Sequence, residues 1–279
     1  MAHSEDRITV ANASVRLLRG GAGPPLLFLH GAGGHTGWMP FLDALAARFE
    51  VLAPEHPGFG RSDDPPWLDE VADLAYFYLD LLAALSLDRV HLAGTSLGGW
   101  IAAELAVRNT ARLASLTLVG AVGIAAEGAP IDDIFRMPVA ENLRRYYADP
   151  AHAARRLMQL AGSGADPELI ARNRATVVRL AYRPRFHNPA LAKWLHRIDV
   201  PTLLIWGAAD RLVPPRFGEA YRALIPGARL EILPRAGHAP FEEQPEAFLH
   251  VLQGFLGEVE AGAADPVSAA GRRPGSPGA

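Results

Sequence analysis

The sequence predicts an α/β protein: a mostly parallel central sheet with helices on both faces and a helical cap inserted late in the chain. Three observations carry that expectation. Short apolar runs of strand length alternate with amphipathic stretches of helix length. Several of the runs are apolar without interruption, as strands covered on both faces must be. The alternation then stops between about residues 122 and 198, where helical patterns follow one another with no strand between them.

Taken in order, the β-type runs are 8–18, 26–29, 51–53, 90–93, 116–119, 202–206 and 230–233, and amphipathic segments at 69–85, 97–107, 215–224 and 245–256 lie between and after them. The interruption holds helical patterns at 151–160 and 167–181; in the second, Leu169, Ile170, Val177 and Leu180 share one face, which predicts packing. An all-helical block between strands of such a sheet sits above its carboxyl edge, where a lid belongs. The chain therefore divides into a first core part (1–121), a helical cap (122–198), a second core part (199–257) and a tail (258–279). Rich in Ala, Gly, Pro and Ser, the tail is expected to be disordered.

At 279 residues the chain can bury a substantial core. Its net charge of −3 implies no general attraction to nucleic acid or to an anionic membrane. The absence of cysteine excludes disulfides, thiolate zinc sites and a cysteine nucleophile together. The first ten residues are polar and acidic, unlike a signal peptide, and the longest apolar segment, 74–87, is broken by Asp80 and Ser86, so no bilayer span is expected. These features point to a cytoplasmic protein acting on a small molecule.

Chemistry enters at Gly94-Thr95-Ser96-Leu97-Gly98, which matches G-x-S-x-G between a predicted strand and a predicted helix. Nine serines in a chain with 27 glycines give such a match by chance about once in ten. Context must carry the rest. The glycines make room for a turn so sharp that Ser96 is forced into a strained backbone conformation, with its hydroxyl over the sheet edge. A serine needs a base, and the base needs an acid to hold it.

Among ten histidines, His91 starts its strand at the wrong edge of the sheet, and His152, His187 and His196 fall in helical patterns expected to face solvent. His238 lies in a loop at the carboxyl end of a late strand, and Asp210 leaves the strand at 202–206 at that same edge. Ser96, Asp210 and His238 are thus the candidate nucleophile, acid and base, in the chain order this architecture uses. The loop His30-Gly31-Ala32-Gly33-Gly34 follows another strand, and the amides of Ala32 and Leu97 are the candidate oxyanion hole, with His30 bracing its loop. Insertion arginines, among them Arg136, Arg144, Arg145, Arg155, Arg156, Arg179, Arg183 and Arg185, read as a solvated helix face.

HGAGG at 30–34, PEHPGFGRSD at 54–63, GTSLGGW at 94–100, WGAADRLVP at 206–214 and AGHAPFEEQPEAF at 236–248 resemble the α/β-hydrolase family over most of residues 24–256. The resemblance implies the same three residues, Ser96, Asp210 and His238, and hydrolysis through them needs no metal or organic cofactor. Serine at position 96 departs from the aspartate nucleophile of the dehalogenases and epoxide hydrolases of that family. Its carbon–carbon bond hydrolases usually carry Asn before the nucleophile and Trp after the histidine, where this chain has Thr95 and Ala239; Glu55 stands where many relatives have Asp. The expected activity is hydrolysis of a small or medium carboxylic ester. Alternatives are cleavage of a meta-cleavage product or a lactone on the same residues, or a non-catalytic ligand-binding module.

Overall fold

The computed structural model describes residues 3–35, 37–162 and 166–264. Its strands are β1 (His3–Val10), β2 (Ala13–Gly20), β3 (Pro25–Leu29), β4 (Glu50–Pro54), β5 (Val90–Thr95), β6 (Leu113–Val119), β7 (Thr202–Gly207) and β8 (Arg229–Leu233). The helices are α1 (Pro40–Leu45), α2 (Val71–Ala84), α3 (Leu97–Arg108), α4 (Val139–Tyr146), α5 (Pro150–Gly162), α6 (Pro167–Ala181), α7 (Arg216–Leu224), α8 (Pro240–Glu243) and α9 (Pro245–Ala264). The eight strands form one sheet in the order β1-β2-β4-β3-β5-β6-β7-β8. Pairing is antiparallel at β1–β2 and β2–β4 and parallel from there to β8.

Period-two alternation along the central strands divides the core into two layers. Leu27, Leu29, Leu204 and Trp206 face the layer that holds α2, α3 and α7, whereas Leu26, Phe28, Leu203 and Ile205 face the layer of α1, α8 and α9. Helix α3 is buried at every position from Leu97 to Val107, as a helix apolar nearly all round should be. Its one buried carboxylate, Glu104, is satisfied by Trp100 Nε1 at 3.0 Å, Asn188 Nδ2 at 2.8 Å and Arg108.

Two expectations need correction. The run at 8–18 is a hairpin rather than one strand: Ala11 and Asn12 adopt φ of 48° and 58°, a two-residue turn whose twist suits a tight hairpin. The final helix also does not stop at 257 but continues to Ala264. Its added turns have partners, since Val259 packs on the core, Glu258 pairs with Arg229, and Glu260 meets His91 and Arg89. The remainder of the expected tail, 265–279, lies outside the described residues.

Between β6 and β7, among the described residues, no strand joins the sheet. Helix α4 buries no residue and α5 only Ala153, while α6 buries Thr176, Val177, Leu180 and Ala181 against the core. The shared face expected on α6 is therefore split: Val177 and Leu180 are buried, Leu169 is half-buried, and Ile170 is exposed at the rim of a cavity. Among the described residues no helix is long and apolar enough to cross a membrane.

Candidate active site

The carboxyl ends of β3, β5, β6, β7 and β8 lie side by side at one edge of the sheet, and the strand order reverses between β3 and β5, the usual position of a crevice in such sheets. Ser96 stands there, between β5 and α3, with φ 54° and ψ −113°. For a non-glycine residue this is strained backbone. The reason for the flanking glycines is visible: a Cβ on Gly94 would overlap the Gly98 carbonyl, and one on Gly98 the carbonyls of Leu29 and His30. The strained turn is held from both sides, because the Ser96 amide donates to Val119 O at 2.9 Å and its carbonyl accepts from Trp100 at 3.1 Å. Leu97, as the first residue of α3, has no intrahelical acceptor for its amide.

Asp210 and His238 meet at the same edge. His238 Nδ1–H donates to Asp210 Oδ2 at 2.7 Å, with both side chains almost fully buried. The other Asp210 oxygen accepts the amides of Leu212 and Val213 at 2.9 and 2.8 Å, so the carboxylate cannot rotate away. In the neutral tautomer that makes this bond, His238 Nε2 carries the lone pair. Ser96 and His238 line one cavity of about 420 Å³, together with Gly31, Ala32 and largely apolar residues from the sheet edge and the segment between β6 and β7.

His30 and His56 sit behind the loop after β3. The two imidazoles stack at 3.6 Å, His30 Nε2 accepts the His56 amide at 3.0 Å, and His56 Nε2–H donates back to the His30 carbonyl at 2.9 Å. Tyr78 on α2 donates to His56 Nδ1, which fixes that tautomer. Burial holds His30 well below the ordinary histidine range and His56 at about 3, so both are neutral braces. His30 lines the cavity and braces its loop as expected.

The sequence profile of the alpha/beta hydrolase family matches residues 26–251. The chain belongs to that family. It is similar to a 2-hydroxy-6-oxononadienedioate/2-hydroxy-6-oxononatrienedioate hydrolase of Cupriavidus pinatubonensis, 32% identical over 85% of this chain and 88% of the relative. A pimeloyl-[acyl-carrier protein] methyl ester esterase of Aeromonas hydrophila is likewise 32% identical, over 88% of this chain and the whole of the relative. The crystal structure of a membrane phospholipase A superposes with a TM-score of 0.75 at 30% identity, covering 92% of this chain and 87% of that one. This alpha/beta hydrolase is accordingly a hydrolase; its relatives differ in the bond their names imply.

The remaining histidines and arginines fall partly as expected. His91 is buried at the opposite end of β5, against Ser115 and Glu260. His196 is exposed as expected, but His152 is half-buried against Tyr147, and His187 is half-buried beside Gly123 rather than helical, because the chain there runs along the loop after β6. Five of the insertion arginines are paired at the surface, Arg144 and Arg145 with Glu141, Arg155 with Asp149, Arg179 with Asp64 and Arg185 with Asp133. Arg156 instead lines the cavity, as does Arg174 on α6.

Two contributors to the site were missed. Gly120, with φ 52°, lies so close that a Cβ there would stand 3.2 Å from the His238 ring and 3.5 Å from Asp210. A glycine directly after a buried strand at the carboxyl edge was the available signal. Tyr146 packs its ring edge-on to His238 at 5.0 Å, and its carbonyl accepts the His238 amide at 2.6 Å. Nothing in the pattern around it marks that role.

Proposed function

We propose that this hydrolase cleaves small or medium carboxylic esters through an acyl-enzyme on Ser96. Ser96 Oγ attacks the ester carbonyl as His238 Nε2 takes its proton; His238 then protonates the departing alkoxide, and water cleaves the acyl-enzyme by the same route. Asp210 holds the imidazole tautomer and stabilises the imidazolium. The amides of Ala32 and Leu97 receive the oxyanion, with the amino end of α3 favouring the developing charge. The reading rests above all on one observation: strained Ser96 opens into the same cavity as His238, whose other nitrogen is bonded to Asp210.

Phe28, Met39, Leu143, Leu212 and Phe241 supply apolar walls for an acyl group of modest size. An acyl-chain series of p-nitrophenyl esters tests this beside a ring-cleavage dienoate. Turnover of short and medium esters, with long chains poorer beneath the cap, is expected; a dienoate cleaved with kcat/KM orders of magnitude above every ester would overturn it.

A second reading, carbon–carbon bond cleavage of a carboxylate-bearing substrate, is favoured by a specific observation. Arg156 and Arg174 line the cavity with no carboxylate partner among the described residues, Arg156 meeting Gln159 and Arg174 the Phe135 carbonyl. The lining carboxylate, Glu242, is engaged by the Tyr147 hydroxyl at 2.7 Å. Two cations at the wall suit an anionic substrate group, and the relative from Cupriavidus is named for a dicarboxylate. Thr95 and Ala239 weigh against this reading.

A further inference from the structure

Asn173, on α6, reaches out of the cap and bonds two loops of the core. Its Oδ1 accepts the Gly60 amide at 2.7 Å, and its Nδ2 donates to the Gly33 carbonyl at 3.3 Å. A carboxamide suits this place because one end must accept and the other donate; a rotated amide would set donor against donor and acceptor against acceptor. The loop that carries Gly60 is itself fastened to α6. Arg172 donates to the Gly60 carbonyl at 3.0 Å and to the Ser62 carbonyl, and Thr176 Oγ1 donates to the Gly58 carbonyl at 2.7 Å. Asn173 therefore ties the Gly33 carbonyl to a fixed anchor.

The peptide unit so held is the one between Gly33 and Gly34. Its N–H donates to the Gly31 carbonyl at 3.1 Å and closes the turn whose central residues are Ala32 and Gly33. Gly34 has φ 86°, and a Cβ there would collide with the Asn173 side chain, so loop and amide are in close contact. A peptide flanked by two glycines turns over at little cost when one of its ends is free. With its N–H on Gly31 and its C=O on Asn173, it is fixed at both.

We infer that Asn173 is a positioning residue for the oxyanion hole: it fixes the turn that aims the Ala32 amide, so oxyanion stabilisation is complete only when the cap is docked. The inference rests on the acyl-enzyme reading of Ser96. It makes the cap a working part of the reaction as well as a roof over the substrate.

The test compares wild type with Asn173→Asp, which keeps the acceptor for Gly60 and sets an oxygen against the Gly33 carbonyl. Two inhibitors of one shape separate the effects. With an alkyl trifluoromethyl ketone, Ser96 Oγ bonds to the carbonyl carbon, its proton passes to His238, and the carbonyl electron pair becomes an oxyanion. The corresponding trifluoromethyl carbinol fills the cavity without any oxyanion. The expected result is kcat lowered about tenfold with KM changed less than about twofold, and ketone affinity lowered about tenfold while carbinol affinity stays within about twofold. Asn173→Ala, which adds no charge, should show the same split.

Parallel loss of both inhibitors, or no loss of either, would overturn the inference by making Asn173 a ligand contact or a bystander. The wild-type arm keeps the underlying reading distinguishable. Intact-mass and fluorophosphonate labelling that found no reaction at wild-type Ser96 would overturn that reading and this one with it.

Discussion

The two walls of the cavity are held by different means. On the core side Gly94 and Gly98 are placed by backbone packed against backbone, Ser96 by main-chain bonds, and Asp210 by two amides and one imidazole. On the other side α4 has no fully buried residue and α5 a single one, Ala153; half-buried Leu143 and Tyr146, two main-chain bonds from Arg211 and His238 to the Arg145 and Tyr146 carbonyls, and side-chain bonds hold them. Glu243 accepts the amides of Ala148, Asp149 and Gly237, while Arg145 pairs with Asp132 and Glu141. Exposed ion pairs of this kind contribute little each, so the wall built by α4 and α5 is expected to open at lower free energy than the core wall. Precision is expected of the core wall and adjustability of the wall built by α4 and α5.

The sharpest way to break that comparison is on the core side. Ser96→Ala is expected to lower ester turnover by about 10⁴ or more with the melting temperature unchanged. Asp210→Asn should slow acylation by a similar factor while leaving substrate binding intact, since the imidazole would be held in the wrong tautomer. A fall in melting temperature with no fall in rate per folded molecule would make Asp210 a turn residue only.

At the seam between the walls, Glu243→Ala strands three amides at once. A loss of stability of about 2 kcal/mol is expected, with a lower kcat because the loop that carries His238 loses its hold. Unchanged kcat in a destabilised protein would show that cap fastening and His238 placement are independent.

The buried imidazoles behind the core wall give a pH signature. His30 and His56 are neutral in the folded chain, with His56 held at about 3, whereas both charge near pH 6.5 when unfolded. The unfolded state therefore binds more protons below about pH 6.5, and stability falls as pH falls, by about 1.4 kcal/mol per unit for each histidine. Denaturant unfolding at about pH 7 and about pH 5 checks this; equal stabilities would contradict the neutral-brace account.

The smallest effect is expected at the far end of α9. Removing residues after Gly257 deletes the contacts of Glu258, Val259 and Glu260 and should lower stability by about 1 kcal/mol with turnover unchanged. No change in stability would mean that the last turns of the helix are passive.

The same contrast explains what could be read from sequence. Backbone-built features leave compositional marks: glycines at 94 and 98 around Ser96, an uninterrupted apolar run in β7, and an aspartate and a histidine just past strand ends. Side-chain-built features leave none. Tyr146, Glu243 and Asn173 act through their side chains on partners 92, 6 and 140 residues away, and no local periodicity announces such pairs. The hairpin at Ala11–Asn12 was hidden because alanine is an uncommon residue at positive φ, and the extension of α9 because its turns end in small residues.

The central claim is that Ser96 forms the covalent intermediate. Labelling the intact protein with a fluorophosphonate, followed by peptide mapping, tests it most directly. The account predicts one adduct, on the peptide that contains Ser96, lost in Ser96→Ala and formed far more slowly in His238→Ala. An adduct on another residue, or ester turnover that persists in Ser96→Ala, would contradict it.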